Sequence, residues 1–110
     1  NYGYSLSERG LQLQRSLRMS KEAVEQQPAN QSYLDTYGWV YFRLEKYDEA
    51  ERYIRKAIEL GSTSAVIHEH LGDIYFRQSR KEKAMELWQK ALQLDATNTG
   101  LKDKIQRGSL

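Results

Sequence analysis

The sequence contains no cysteine and a single proline, Pro28, in 110 residues. The first absence excludes disulfides, thiolate metal ligands and cysteine nucleophiles. It leaves the compartment open, because oxidising and reducing spaces both tolerate a cysteine-free chain. The second removes the strongest helix breaker from everything after residue 28. No strand-like alternation of useful length occurs, and no run of 18 apolar residues is present to span a membrane. Charge of one sign is also scarce: 17 Lys and Arg against 15 Asp and Glu leave a formal net charge of +2. No segment has the basic excess of a nucleic-acid binder. The densest basic stretch, Arg77, Arg80, Lys81 and Lys83, is interrupted by Glu82 and reads as a solvated turn, the alternative being a contact for an acidic partner.

Catalytic groupings are equally sparse. His68 and His70 stand two apart on a helical stretch, so they project to nearly opposite sides and cannot share a metal ion. Glu69 and Asp73 are four apart on one face and could share a proton; the blander reading is a solvated acidic stripe, since no nucleophile, base or phosphate loop accompanies them. The expectation is a non-enzyme with no cofactor and no metal.

What the chain does have is repetition. Residues 31–64 and 65–98 superimpose without a gap at a period of 34, pairing Gly38 with Gly72, Tyr41 with Tyr75, Phe42 with Phe76, Arg43 with Arg77, Ala50 with Ala84, Ala57 with Ala91 and Leu60 with Leu94. Within 31–64, Leu34, Tyr37, Tyr41 and Leu44 recur at helical steps, as do Ala50, Ile54, Ala57 and Ile58. Each unit is therefore two helices joined by a turn. Gly38 and Gly72 fall inside the first helix of each unit, where Gly costs about 1 kcal/mol against Ala. Their recurrence implies backbones packed too closely for a Cβ. Tyr41, Tyr75 and Trp88 read as knobs that fill the space so left, and His68, at a large-apolar place, as a packing residue.

The period and these residues resemble the tetratricopeptide repeat. The pattern falls on Leu34, Tyr37, Gly38, Tyr41, Ala50, Ile54 and Ala57, then on His68, Leu71, Gly72, Tyr75, Ala84, Trp88 and Ala91. Glu45 and Ser79 stand where the family usually has Gly in the turn, and Ser62 and Ala96 replace its closing Pro. The resemblance implies an all-α fold, an α-solenoid of antiparallel helix pairs wound as a superhelix. The chain is one domain, 1–110, with a partial repeat over 1–30, repeats over 31–64 and 65–98, and a capping helix over 99–110. Counting back one period places Pro28 at the closing proline and a helix over 10–26, with Leu13, Leu17, Met19, Ala23 and Val24 at its apolar positions. Tyr2-Gly3 resembles the family's Leu-Gly step if one residue is inserted in a turn near Arg9 and Gly10. Further helices are expected over 32–44, 48–60, 66–78, 82–94 and 99–107, the last with a narrow stripe of Leu101 and Ile105.

When such units stack, their first helices line a concave groove. By resemblance, the groove places are Ser32, Asp35, Thr36, Trp39, Phe42 and Arg43, then Val66, Glu69, His70, Asp73, Phe76 and Arg77. The candidate peptide-binding residues are Asp35, Trp39, Phe42, Arg43, Glu69, Asp73, Phe76 and Arg77, with the acids expected to favour basic residues in a ligand. Repeats that clamp the acidic C-terminal tails of chaperones carry Lys, Asn and Arg on this face. Asp, Glu, Thr and Trp stand there instead, which argues against that subtype.

The function expected is a non-enzymatic scaffold that binds a protein or peptide partner. The alternatives are a purely structural segment of a longer solenoid and a regulatory subunit that docks an enzyme through Arg43 and Arg77. No nucleic acid and no direct membrane insertion are expected. A weak homodimer is, through Leu6, Leu13 and Leu17. The opening at Asn1 reads as part of a longer protein, so the location stays open. The runs YLDTYGWVYFRL and IHEHLGDIYFR resemble those of bacterial multi-repeat proteins, which are cytoplasmic or, where exported, periplasmic or lipid-anchored.

Overall fold

The computed structural model describes the backbone of residues 2–110 and the side chains of residues 12–110. Six helices follow in order: α1 (Tyr2–Gln26), α2 (Gln31–Arg43), α3 (Tyr47–Glu59), α4 (Ala65–Arg77), α5 (Lys81–Leu94) and α6 (Thr99–Arg107). No strand occurs among the described residues. Helices α2 and α3 form one antiparallel pair, α4 and α5 the next. Helix α1 packs on α2, α3 on α4 and α6 on α5, while α2 touches α4.

The helix starts follow the same 34-residue period as the core. Asn30, Ser64 and Asn98 precede α2, α4 and α6, and each side-chain oxygen accepts a bond from the backbone N–H three residues on: Tyr33 at 3.1 Å, Ile67 at 3.4 Å and Leu101 at 3.0 Å. These caps satisfy donors that the first helical turn leaves open. The turns within each pair obey a second rule. Glu45 and Ser79 have φ of 61° and 63°, and beyond them Lys46 N donates to Tyr41 O at 2.9 Å and Arg80 N to Tyr75 O at 2.8 Å. This is the helix-ending geometry that normally calls on glycine, held here by residues that bear a Cβ.

Packing between paired helices explains the two helical glycines. A Cβ on Gly38 would lie 2.5 Å from Ile54 Cγ1, and one on Gly72 would run into the indole of Trp88 and lie 3.2 Å from the Ala84 carbonyl. Trp88, Leu34, Ile54, Ile74 and Leu101 are the largest fully buried side chains, with Ala50, Ala57, Ala84 and Ala91 at the close approaches. Tyr37 sits with Tyr41 and Tyr53, its hydroxyl 3.1 Å from that of Tyr41. Burial, then those neighbours, push its phenol above the ordinary range. His68 is buried, and its Nδ1–H donates to the Ser64 carbonyl at 2.8 Å.

Helices α2 to α4 begin and end one residue before the expected bounds, and α5 begins one earlier. The chain departs from expectation at its start. Instead of a turn near Arg9 and Gly10, α1 runs unbroken through both as a 25-residue helix. The reason is local: Gly inside a helix costs only about 1 kcal/mol, whereas a turn would leave backbone groups unpaired for a helix of barely two turns. Helix α1 ends at Gln26, just before Pro28, as a helix followed by proline should. Leu13 and Leu17 are half-buried, and the side chain of Leu6 lies outside the described residues.

Candidate functional site

Asp35, Trp39, Phe42 and Arg43 lie on α2 and Glu69, Asp73, Phe76 and Arg77 on α4, and the side-chain contacts between the two helices run from Asp35 and Trp39 to His70. The aromatic residues fall into two groups, one around Trp39 and one pairing Phe76 with Trp88. The Trp39 ring lies 4.4 Å from Phe42 at an interplanar angle of 9°, and 3.9 Å from His70 at 18°. Phe42 also meets Tyr47 edge-on at 5.5 Å, and Phe76 packs 5.9 Å from buried Trp88. All three candidate aromatics are thus half-buried against the core, each leaving part of its ring on the surface.

The acids do not stand free. His70 Nδ1 donates to Asp35 Oδ1 at 2.7 Å, across one repeat. One period later Lys104 of α6 takes the corresponding place, its Nζ 2.5 Å from Glu69 Oε2 and 3.1 and 3.2 Å from the two Asp73 oxygens. Asp73 is buried and accepts a further bond from Trp88 Nε1 at 3.0 Å. Asn98, the α6 cap, donates to Glu69 as well, at 3.4 Å. The same device recurs: an acid at the fifth place of one unit receives a nitrogen from the sixth place of the next.

The proton-sharing alternative for Glu69 and Asp73 is therefore set aside, and so is the solvated acidic stripe, because an ammonium group lies between the two carboxylates. Burial raises the Asp73 carboxyl above its ordinary value, although Lys104 and Trp88 pull it down. Burial would depress Lys104, but its bonds to Glu69 and Asp73 outweigh that and hold the ammonium above its ordinary range. All three carboxylates are bonded to the first helix of the next unit, Asp35 to His70 of α4, and Glu69 and Asp73 to Lys104 of α6. Arg43 and Arg77 differ: both are exposed, and neither makes an ion pair among the described residues. Arg43 borders a cleft of about 370 Å³ shared with Gln12, Leu13 and Ser16 of α1.

In the basic turn, Arg80 is drawn back to the body. It pairs with Glu51 at 3.0 Å and lies 4.8 Å over the Tyr75 ring. Among the described residues no group of three His, Asp or Glu side chains is arranged to hold a metal ion, and no helix is long and apolar enough to cross a membrane. The residue that sequence reasoning missed is Lys104, which lies in the stretch read only as a capping helix. Its signal was available, since Lys104 lies one period after His70.

A tetratricopeptide repeat family model matches residues 32–64 and 65–98, more than half of the chain. The chain belongs to the tetratricopeptide repeat family. No curated protein matches it. Among solved structures, the first tetratricopeptide repeat domain of Spaghetti (RPAP3), bound to the HSP90 peptide SRMEEVD, superimposes with a TM-score of 0.84 at 19% identity, over 97% of this chain and 84% of that one. A thermophilic tetratricopeptide repeat protein of Thermus thermophilus, TTC0263, gives 0.80 at 25% identity over 92% of this chain and 52% of its own. YrrB, described as having an unusual peptide-binding site, gives 0.79 at 22% identity, over 94% of this chain and 54% of its own. The likeness establishes an all-α tetratricopeptide solenoid. Domains of this kind commonly serve protein–protein interaction and are generally non-catalytic.

Proposed function

We propose that this tetratricopeptide domain is a non-enzymatic scaffold that receives an extended or helical segment of a partner protein in the groove between α2 and α4, with Trp39, Phe42, Arg43, Phe76 and Arg77 as the contacts. The observation that carries this reading is Trp39: a half-buried indole, held between Phe42 and His70, beside an exposed arginine. A ring already immobilised loses little freedom on binding, and Trp and Arg are the side chains that most often dominate interface energetics. Asp35, Glu69 and Asp73 serve in this reading from behind, fixing His70 and Lys104 and so the groove wall. The peptide in the Spaghetti structure and the site named for YrrB add support by likeness of fold. Trp39→Ala combined with Arg43→Ala should abolish capture on a peptide array while helicity is unchanged. Capture that survives this change but is lost with Arg80→Ala and Lys81→Ala would move the site to the turn.

One observation favours the structural reading, in which the chain is a segment of a longer stack. Met19 on α1 is 70% exposed. One period later its counterpart Tyr53 is covered by Tyr37 of the paired helix, with ring centroids 4.5 Å apart. An upstream helix, or α1 of a second copy, would cover Met19 in the same way. Sedimentation at rising concentration tests this: a chain that stays strictly monomeric, with Met19→Lys no more soluble than the parent, contradicts it.

A further inference from the structure

We propose that His70 is a proton-operated clamp between the two complete units, gripping α2 more tightly once its imidazole carries a second proton. The ring stands between two jaws on that helix. Its Nδ1 lies 2.7 Å from Asp35 Oδ1, and its face lies on the Trp39 indole, with ring centroids 3.9 Å apart at 18°. An ionised carboxylate can only accept, so Nδ1 already holds a proton when the ring is neutral. The second proton goes to Nε2. That nitrogen has no hydrogen-bond partner among the described residues, where no buried side-chain nitrogen or oxygen lacks one, so Nε2 reaches solvent. The ring can therefore gain or lose its charge without moving.

Both contacts gain from that charge. The hydrogen bond to Asp35 becomes an ion pair as well, and two unit charges about 4 Å apart favour association by about fivefold even at the dielectric constant of water. A cationic ring over an indole adds attraction of its own. The next junction supplies the contrast. There Lys104 holds Glu69 and Asp73 with an ammonium kept above its ordinary range, whereas histidine is the side chain that ordinarily changes charge between about pH 5 and 8. The first junction is adjustable where the second is fixed. Of the charged groups on helices packed against α4, Asp48 and Glu51 of α3, and Arg80 and Lys83 at the start of α5, gather about Gln78 and Tyr75 near its C-terminal end. Lys104 of α6 lies between Glu69 and Asp73, and Arg43 of α2 makes no ion pair among the described residues. Asp35 is thus the charged group bonded to the ring. Packing of α3 on α4 joins the units at any pH, so the clamp governs how closely α2 approaches α4. Its contribution is present while Nε2 is protonated and is lost as pH rises through the titration of the imidazole. The clamp acts whether or not a partner segment lies in the groove.

The test uses the whole chain with no ligand. Long-range nitrogen nuclear magnetic resonance spectra of the His70 ring should show the proton on Nδ1 at about pH 8 and a second on Nε2 at about pH 5.5. Over that range the Trp39 indole signal should move while that of buried Trp88 stays in place. Urea midpoints of the parent, Asp35→Asn, His70→Gln and the double variant give the coupling between the two side chains. His68 is present in each of these chains, so its own titration cancels. The coupling should rise by about fivefold, as an equilibrium constant, from the higher pH to the lower. His70→Lys, which gives this junction the residue type of the next, should keep a coupling to Asp35 that does not change with pH over the same range. A coupling that is flat or that weakens on acidification overturns the inference. So does a neutral ring whose proton sits on Nε2, or a Trp39 signal that follows pH equally in the His70→Gln chain. The ring spectra require no substitution, so a neutral ring protonated at Nε2 would overturn the clamp even if a variant failed to fold.

Discussion

Replacing Lys104 with Met removes one positive charge from between two carboxylates while keeping most of the aliphatic stem. Breaking a buried ion pair by deleting one partner costs about 3–5 kcal/mol, because the remaining charge stays desolvated. Two features reduce that figure here. About a fifth of the Glu69 and Lys104 side chains reaches water, and Asp73 keeps its bond from Trp88. The expected loss is therefore about 2–3 kcal/mol, which for a domain of this size lowers Tm by about 10 °C. Urea denaturation followed by circular dichroism measures it. Asp73→Asn in the same chain should recover part of the loss, because an amide oxygen can still accept from Trp88 with no charge left buried. The pH dependence has a definite sign. The folded-state pKa of Lys104 is raised above its ordinary value of 10.5, so its contribution is complete below that value and is lost as pH rises through the folded one. Parent and Lys104→Met should converge in stability at strongly alkaline pH. Asp73 has the same sign, since its raised pKa also favours the folded state as pH falls through it, in a lower pH window than that of Lys104. A Lys104→Met chain within about 0.5 kcal/mol of the parent at neutral pH would refute the account of this cluster.

Two further predictions concern the backbone. Gly38→Leu should destabilise by about 1–3 kcal/mol or more through overpacking against Ile54, whereas exposed Lys56→Ala should stay within about 0.5 kcal/mol of the parent; equal effects in denaturant titrations would undo the close-packing assignment. Ser79→Gly and Glu45→Gly should each stabilise by about 0.5–1 kcal/mol, since both residues hold φ near +60°, a conformation that costs a non-glycine residue about 1 kcal/mol or more. A lower midpoint for both variants would mean that their side chains contribute more than the strain they carry.

Much of the fold was legible because a tandem repeat states its contacts twice. Gly38 with Gly72 and Ala57 with Ala91 mark close approaches at equal spacing, and one unit checks the other. The turn at Glu45 and Ser79 was located correctly, although neither residue has the conformational freedom the turn asks for. Helix α1 was misread because a single unit has no second copy to check it, and Gly10 signals a turn or a tolerated helical glycine equally well. The site was legible only in part. The family resemblance put Asp35, Glu69 and Asp73 on the groove face, but which neighbour takes up a carboxylate depends on the first helix of the next unit, and α6 had been read for its apolar stripe. The 34-residue step from His70 to Lys104 carried that information. It was not applied to polar residues.

The central claim, that a partner segment binds across α2 and α4, is tested most directly by the two tryptophan indole signals in an amide nuclear magnetic resonance spectrum. Trp88 is fully buried, with its Nε1–H bound to Asp73, whereas Trp39 lies half-buried on the groove face. On titration with an array-selected peptide, the Trp39 indole signal and the backbone signals of Arg43 and Arg77 should shift together while the Trp88 indole signal stays in place. Shifts confined to Arg52, Arg55 and Lys56 on α3, with the Trp39 signal unmoved, would contradict the account.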